Sequence, residues 1–146
     1  MPEDFSRGSV EVAPPVRGQR LSSTIWLSRD PNLRNVMKGH VICGVKLTRG
    51  DTMCGEAVAQ VVESRHPQFA AGNYVIVMSD WQDYALSNGE GRCKFDQSAA
   101  PLSTVVGALS MSGLTGYVGL VNLAEPKPGE TVVVYAATGA RDNTVG

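Results

Sequence analysis

Apolar and polar residues alternate along this chain in short runs, nearly all closed by one of its 16 glycines or 8 prolines. Such punctuation marks strand-length segments. Val10-Glu11-Val12-Ala13 reads as a short strand halted by Pro14-Pro15, because proline cannot donate to a ladder. After a turn at Arg17-Gly18-Gln19, residues 21–27 place Leu21, Ser23, Ile25 and Leu27 on one face, the pattern of a half-buried strand. Residues 53–63 carry Ala57, Ala59 and Val61 on one parity and Val58, Gln60 and Val62 on the other, which predicts a long, bent strand buried partly on both faces. It ends at Ser64-Arg65-His66-Pro67. Residues 68–73 supply a turn, and 74–78 and 81–86 are two further strands. Short strands at this spacing predict a barrel or a sandwich.

The pattern changes after about residue 98. Residues 101–109 predict a helix with Pro101 at a tolerated early position, and 114–123 a second one diluted by glycine. Glu125-Pro126-Lys127-Pro128-Gly129-Glu130 is a proline-marked turn. Residues 131–137 are then a continuous apolar run, as in a parallel strand covered on both faces, followed by Thr138-Gly139-Ala140. The class is mainly β, with α in its last third.

With 146 residues, one domain with a real core is expected, and a second complete one is nearly excluded. Lys plus Arg number 13 and Asp plus Glu 14, which leaves no overall basic footprint for nucleic acid or an anionic membrane. The apolar runs fall far short of a bilayer span. The start lacks the basic and apolar regions of a secretory signal, and three separated cysteines make no disulfide framework, so a cytoplasmic setting is expected. Cys43, Cys54, Cys93, His40 and His66 lack the close pairs of structural zinc, and no metal site is expected. No Ser/His/Asp or Cys/His arrangement and no paired carboxylates are visible, which leaves nucleophilic catalysis unsupported.

Residues 126–140, from Pro126-Lys127-Pro128-Gly129-Glu130 through Val132-Val133-Val134-Tyr135, resemble the opening of the nucleotide-binding domain of medium-chain dehydrogenases/reductases. Residues 26–34, Trp-Leu-Ser-Arg-Asp-Pro-Asn-Leu-Arg, are similar to the Leu-Ser-x-Asp-Pro-Tyr-x-Arg signature of the zinc-independent, NADP-dependent alkenal/one reductases, the subgroup of leukotriene B4 12-hydroxydehydrogenases, prostaglandin reductases and curcumin reductases. Residues 55–67, 81–84 and 107–117 agree with that subgroup in order and spacing. The resemblance implies a GroES-like, partly open β-barrel with a short helical C-terminal region and the first strand of a truncated Rossmann domain. Residues 1–124 would be the N-terminal catalytic domain, and 125–146 the linker and the truncated start of the nucleotide-binding domain.

The implied chemistry is hydride transfer from NADPH to the β-carbon of an enone, alkenal or quinone, or in some members the reverse oxidation of an alcohol. The cofactor performs the hard step, and protein supplies orientation, enolate stabilisation and a proton source. Asp30, Pro31, Asn32 and Arg34 would line the substrate cleft; Asp before Pro is also an ordinary turn starter. Trp81 and Tyr84 would line the same cleft through large aromatic area with a polar handle, or else belong to the barrel core. Met111 and Thr115 match a segment near the nicotinamide, where a hydroxyl can bond the carboxamide, or form a domain-junction helix. Gly139 and Ala140 fall in the phosphate loop. No catalytic residue is assigned.

The chain departs from the family's pattern in several places. The signature Tyr is Asn32 here, the Pro and Ala of the Met-Pro-Gly-Leu-Thr-Ala-Tyr segment are Ser112 and Gly116, and the loop that usually reads Ala-x-Gly-x-x-Gly reads Ala137-Thr138-Gly139-Ala140-Arg141-Asp142; against zinc, Glu56 stands where zinc-dependent relatives have His after Gly. Asp142 brings bulk and like charge to a phosphate seat. The chain is therefore expected to be an N-terminal portion that is inactive alone, with NADP(H) and the small substrate bound only in the full architecture. The alternative is a non-catalytic binding or dimerisation module on the same barrel. The exposed run within 131–146 offers a route to homo-oligomers.

Overall fold

A computed structural model describes residues 5–41, 44, 46–90, 93–135 and 139. Strands β1 (Arg20–Leu27), β2 (Glu56–Ser64), β3 (Tyr74–Met78), β4 (Tyr84–Ser87) and β5 (Cys93–Phe95) form one antiparallel sheet in the order β4-β1-β2-β3-β5. β3 does not pair with the β4 that follows it; the corner at 79–83 carries the chain across to the far edge of β1. Val77 and Met78 of β3 nevertheless line one cavity of about 400 Å³ with Ala85 of β4 and Ser22 of β1. Two strands lie between β3 and β4 in the sheet order, so the sheet must curl to bring them together. The result is a partly open barrel.

Alternation on β2 and β3 builds the interior. Ala57, Ala59, Val61, Val75 and Val77 are buried together with Phe69 from the intervening turn, and Leu27 packs against them. Each such valine contributes roughly 1.5–2 kcal/mol by leaving water. Val58 is buried on the opposite face of β2, and helix α2 (Leu102–Val105) packs against this strand, so β2 is covered on both sides as its pattern predicts.

β1 departs from expectation in phase. Its inward residues are Arg20, Ser22 and Thr24, paired with Ser64, Val61 and Ala59, while Leu21 is half-buried and Ile25 exposed. The cause is a pair of bulges. Val62 is an extra residue on β2 between the Leu21–Glu63 and Ser22–Val61 pairs, and Ile25 an extra one on β1 between Thr24–Ala59 and Trp26–Val58. The second bulge turns Leu27 inward. The Arg20 guanidinium is fully buried and lies 3.7 Å from the Phe69 ring centroid.

Other boundaries also move. Residues 10–13 form no strand, because no neighbouring strand takes up their backbone; Val10 is 89% exposed. β2 starts at Glu56 because 53–55 bond the 79–83 corner instead, and β4 starts at Tyr84 because Asp80, at φ 57°, bends the chain through 81–83. The 101–109 helix stops at Val105 and gives way to turns, since Gly107 and Leu109 both bond back to Thr104. The second predicted helix is α3 (Met111–Tyr117), begun by the Ser110 hydroxyl accepting from the Ser112 amide, and it continues as a π-helical stretch, Val118–Ala124. Glu125, at φ 45°, ends it. Helix α1 (Leu33–Met37) and β5 were not expected. Residues 131–134 are irregular and Tyr135 sits in a turn; of the 131–137 run, 136 and 137 lie outside the described residues.

Candidate functional site

The antiparallel order brings four chain segments to one end of the sheet: the exit of β1, the start of β2, the exit of β3 and the start of β4. Hydrogen bonds tie them together. The Ser28 amide donates to the Glu56 carbonyl (2.8 Å), Asp80 to Gly55 (3.3 Å), Trp81 to Met53 (2.7 Å) and Thr24 to Asp83 (2.9 Å). The 28–34 loop, Trp81 and Tyr84, far apart in sequence, thus leave from the same end.

Trp81 is held tightly there. A Cβ built on Gly55 would lie 3.1 Å from its Cδ1, its Nε1 and Leu27 Cδ1, so any larger residue would force the indole edge or Leu27 to give by a few tenths of an ångström. Phe5 stacks on the ring, with centroids 5.6 Å apart and planes 14° from parallel. Arg7 reaches Asp83 at 3.7 Å in an exposed ion pair, a second tether for this N-terminal stretch. The indole Nε1 is buried without a hydrogen-bond partner among the described residues, as is the Ser22 hydroxyl. Trp81 is half-buried and Tyr84 exposed. Phe5 and Gly55 were not anticipated in this arrangement, and no local motif links Phe5 to a tryptophan so distant in the chain.

The Asp30 carboxylate accepts from the Asn32 amide at 2.7 Å and the Asp30 carbonyl from Leu33, a local turn that leads into α1. Pro31 and Arg34 are exposed and Asn32 half-buried. Met111 and Thr115 are exposed on α3, which runs directly into the π-helical stretch; the Thr115 hydroxyl donates to the Met111 carbonyl at 2.6 Å. Both lie on the helical segment, apart from the hydrogen bonds that join the sheet-end group. Gly139 is half-buried, and Ala140 lies outside the described residues. The open cleft takes Asp80 and Gln82, the neighbours of Trp81, rather than Trp81 or Tyr84.

Cys54 is buried beside this corner. Burial pushes its thiol up, and the Asp80 charge pushes it further the same way, so it is an inert neutral group at ordinary pH. Among the described residues no three His, Cys, Asp or Glu side chains gather to hold a metal ion, and no helix is long and apolar enough to cross a membrane.

The curled antiparallel sheet is the fold of an oxidoreductase's N-terminal domain, and the chain belongs to the family described as the N-terminal domain of oxidoreductase, matched over residues 1–95. It is 40% identical over 146 residues to the NADPH-dependent curcumin reductase of Escherichia coli (strain K12), covering 100% of this chain and 42% of the relative. It is 38% identical over 146 residues to prostaglandin reductase 1 of Rattus norvegicus, covering 98% and 42%. The crystal structure of CurA in complex with NADPH from Vibrio vulnificus superposes with a TM-score of 0.88 at 34% identity, covering 100% of this chain and 43% of that one. These matches bear out the resemblance to NADPH-dependent medium-chain reductases, in their N-terminal portion. The chain spans less than half the length of these relatives.

Proposed function

We propose that this chain is the substrate-side wall of an NADP(H)-dependent reductase acting on the C=C bond of α,β-unsaturated carbonyls or quinones in the cytoplasm, with 1–124 as the catalytic domain and 125–146 opening the nucleotide-binding domain. The observation that carries it is the gathering of the 28–34 loop, Trp81 and Tyr84 at one sheet end. Trp81, fixed between Gly55 and Phe5, and the exposed Tyr84 offer flat faces that orient a conjugated substrate and exclude water from it. The Asp30 turn sets the path of the facing loop. The exposed face of α3, with a thioether at Met111 and a hydroxyl at Thr115, fits one side of a nicotinamide and its carboxamide. When bound, NADPH supplies the hydride for the β-carbon. The proton donor is left unassigned.

By itself the chain offers only this wall, so it neither binds NADPH tightly nor reduces an enone. The test is a fluorescence titration with NADPH and an enone turnover assay on the 146-residue chain beside the native gene product, whose mass is measured first. Cofactor-dependent enone reduction by a longer native product supports the reading, and its absence there refutes it. Micromolar, saturable NADPH binding with turnover by the short chain refutes the claim that it is inactive alone. Exposed Val132, Val133 and Tyr135 favour a second reading, a binding or dimerisation module; a native product of this length that self-associates through 131–146 and reduces nothing selects it.

A further inference from the structure

The stretch ahead of β1 is a strap laid over the sheet end. Residues 5–16 carry no secondary structure, and 5–14 are exposed, whereas Pro15 is fully buried. Proline fixes its own φ and holds the residue before it extended, so Pro14-Pro15 is a stiff, seated base from which the strap departs. Among the described residues, 5–15 make no hydrogen bond at all. Two side-chain contacts at the far end tie the strap down, the Phe5 ring on Trp81 and Arg7 on Asp83. Both are light. The ion pair spans 3.7 Å between side chains 90% and 84% exposed, and Phe5 itself is 47% exposed. Contacts of this kind favour the lowered strap by only about five- to tenfold. Nor does the indole gain a hydrogen bond in this state, since its Nε1 is buried without an acceptor among the described residues.

We propose that residues 5–14 are a displaceable cover of the Trp81 seat, with Phe5 holding the place on the indole that the ring of an aryl enone takes when the strap lifts. The proposal rests on the enone-reductase reading above. A ring 5.6 Å away and 14° from parallel makes the stack that a conjugated ligand would make with the same face, so strap and ligand exclude one another there. Lifting breaks no backbone hydrogen bond among the described residues, and Pro15 stays seated while 5–14 swing. An aryl enone replaces the phenyl contact it displaces. A short aliphatic alkenal has no ring to offer and leaves the strap down, which makes Phe5 a determinant of substrate choice.

The test takes Phe5→Ala through two measurements. Acrylamide quenching of Trp81, read in the 146-residue chain with Trp26→Phe, should rise at least about twofold as the indole face is uncovered. In the native gene product at saturating NADPH, KM for trans-chalcone should fall about fivefold at an unmoved kcat, because the closed population no longer competes with substrate. KM for trans-2-hexenal should stay where it was. Quenching that does not rise overturns the proposal, since the strap then does not cover Trp81. Raised quenching with an unchanged or higher KM for trans-chalcone overturns it too, as does an equal fall in KM for both substrates; either result leaves the enone-reductase reading standing. No turnover of either substrate by the unaltered product overturns that reading and this proposal with it.

Discussion

Gly55→Ala is the most direct probe of the Trp81 seat. The new methyl would sit 3.1 Å from Leu27 Cδ1, Trp81 Cδ1 and Trp81 Nε1, against a comfortable carbon separation of about 3.5–4.0 Å. Neither neighbour has an easy retreat. Leu27 packs against the buried cluster of β2 and β3, and Trp81 is pinned by its amide to Met53 and covered by Phe5. Overpacking of this kind costs about 1–2 kcal/mol. Loss of glycine's freedom in the unfolded chain offsets about 0.4–1 kcal/mol of that. A net destabilisation of about 0.5–1 kcal/mol remains, which at a urea m-value of about 1.5 kcal/mol/M lowers the midpoint by about 0.5 M. The assay is urea unfolding followed by Trp81 emission in a Trp26→Phe background, which removes the other of the chain's two tryptophans. The native emission should shift to the red as the indole is pushed toward Phe5 and solvent. Gly55→Val should do more of both. A midpoint equal to or above that of the parent, with unchanged emission, would refute the packing argument.

The other expectations concern titratable groups. With a thiol reagent at neutral pH, exposed Cys93 should be modified quickly and buried Cys54 slowly, read by peptide mass spectrometry; equal rates contradict the burial of Cys54. Hydrogen bonds from the Thr48 amide and hydroxyl hold the Asp51 carboxyl below its ordinary value of 3.8, so the turn gains stability above that value and loses it as pH falls through the lowered one. The Thr48 amide resonance should therefore titrate below pH 3.8, and a midpoint at or above this sinks the assignment.

β2 was legible because Ala57, Ala59 and Val61 are apolar, inward and evenly spaced, with nothing else on that face to confuse the period. β1 has the same period with the opposite phase. Its inward positions are polar because Arg20 finds the Phe69 ring and Thr24 the Ser79 hydroxyl, both distant in sequence, while Leu21 and Ile25 face out. Met53 and Cys54 read as strand because they are apolar; they are buried in a corner, and only the Met53–Trp81 bond distinguishes the two. At the site, the 28–34 loop, Trp81 and Tyr84 were readable as motifs, since each is a local string of residues. The Gly55 seat and the Phe5 cover exist only once the chain has folded, and neither leaves a periodic trace.

The two bulges on β1 and β2 also bear on how the molecule tolerates changes of length. Each is a residue with no opposite number, so each strand carries one residue of slack. If one residue is lost between Ser22 and Thr24, Ile25 can enter the ladder in place of the missing partner, and Trp26–Val58 and Leu27–Ala57 keep their registers. Val62 provides the same reserve for its own strand. An ordinary ladder has no such buffer, and a one-residue loss there displaces everything downstream by about 3.3 Å. The Asp30 turn and the rest of the excursion from β1 to β2 are thereby insulated from length changes upstream, and the excursion can vary in sequence and span while both of its ends stay anchored beside Gly55.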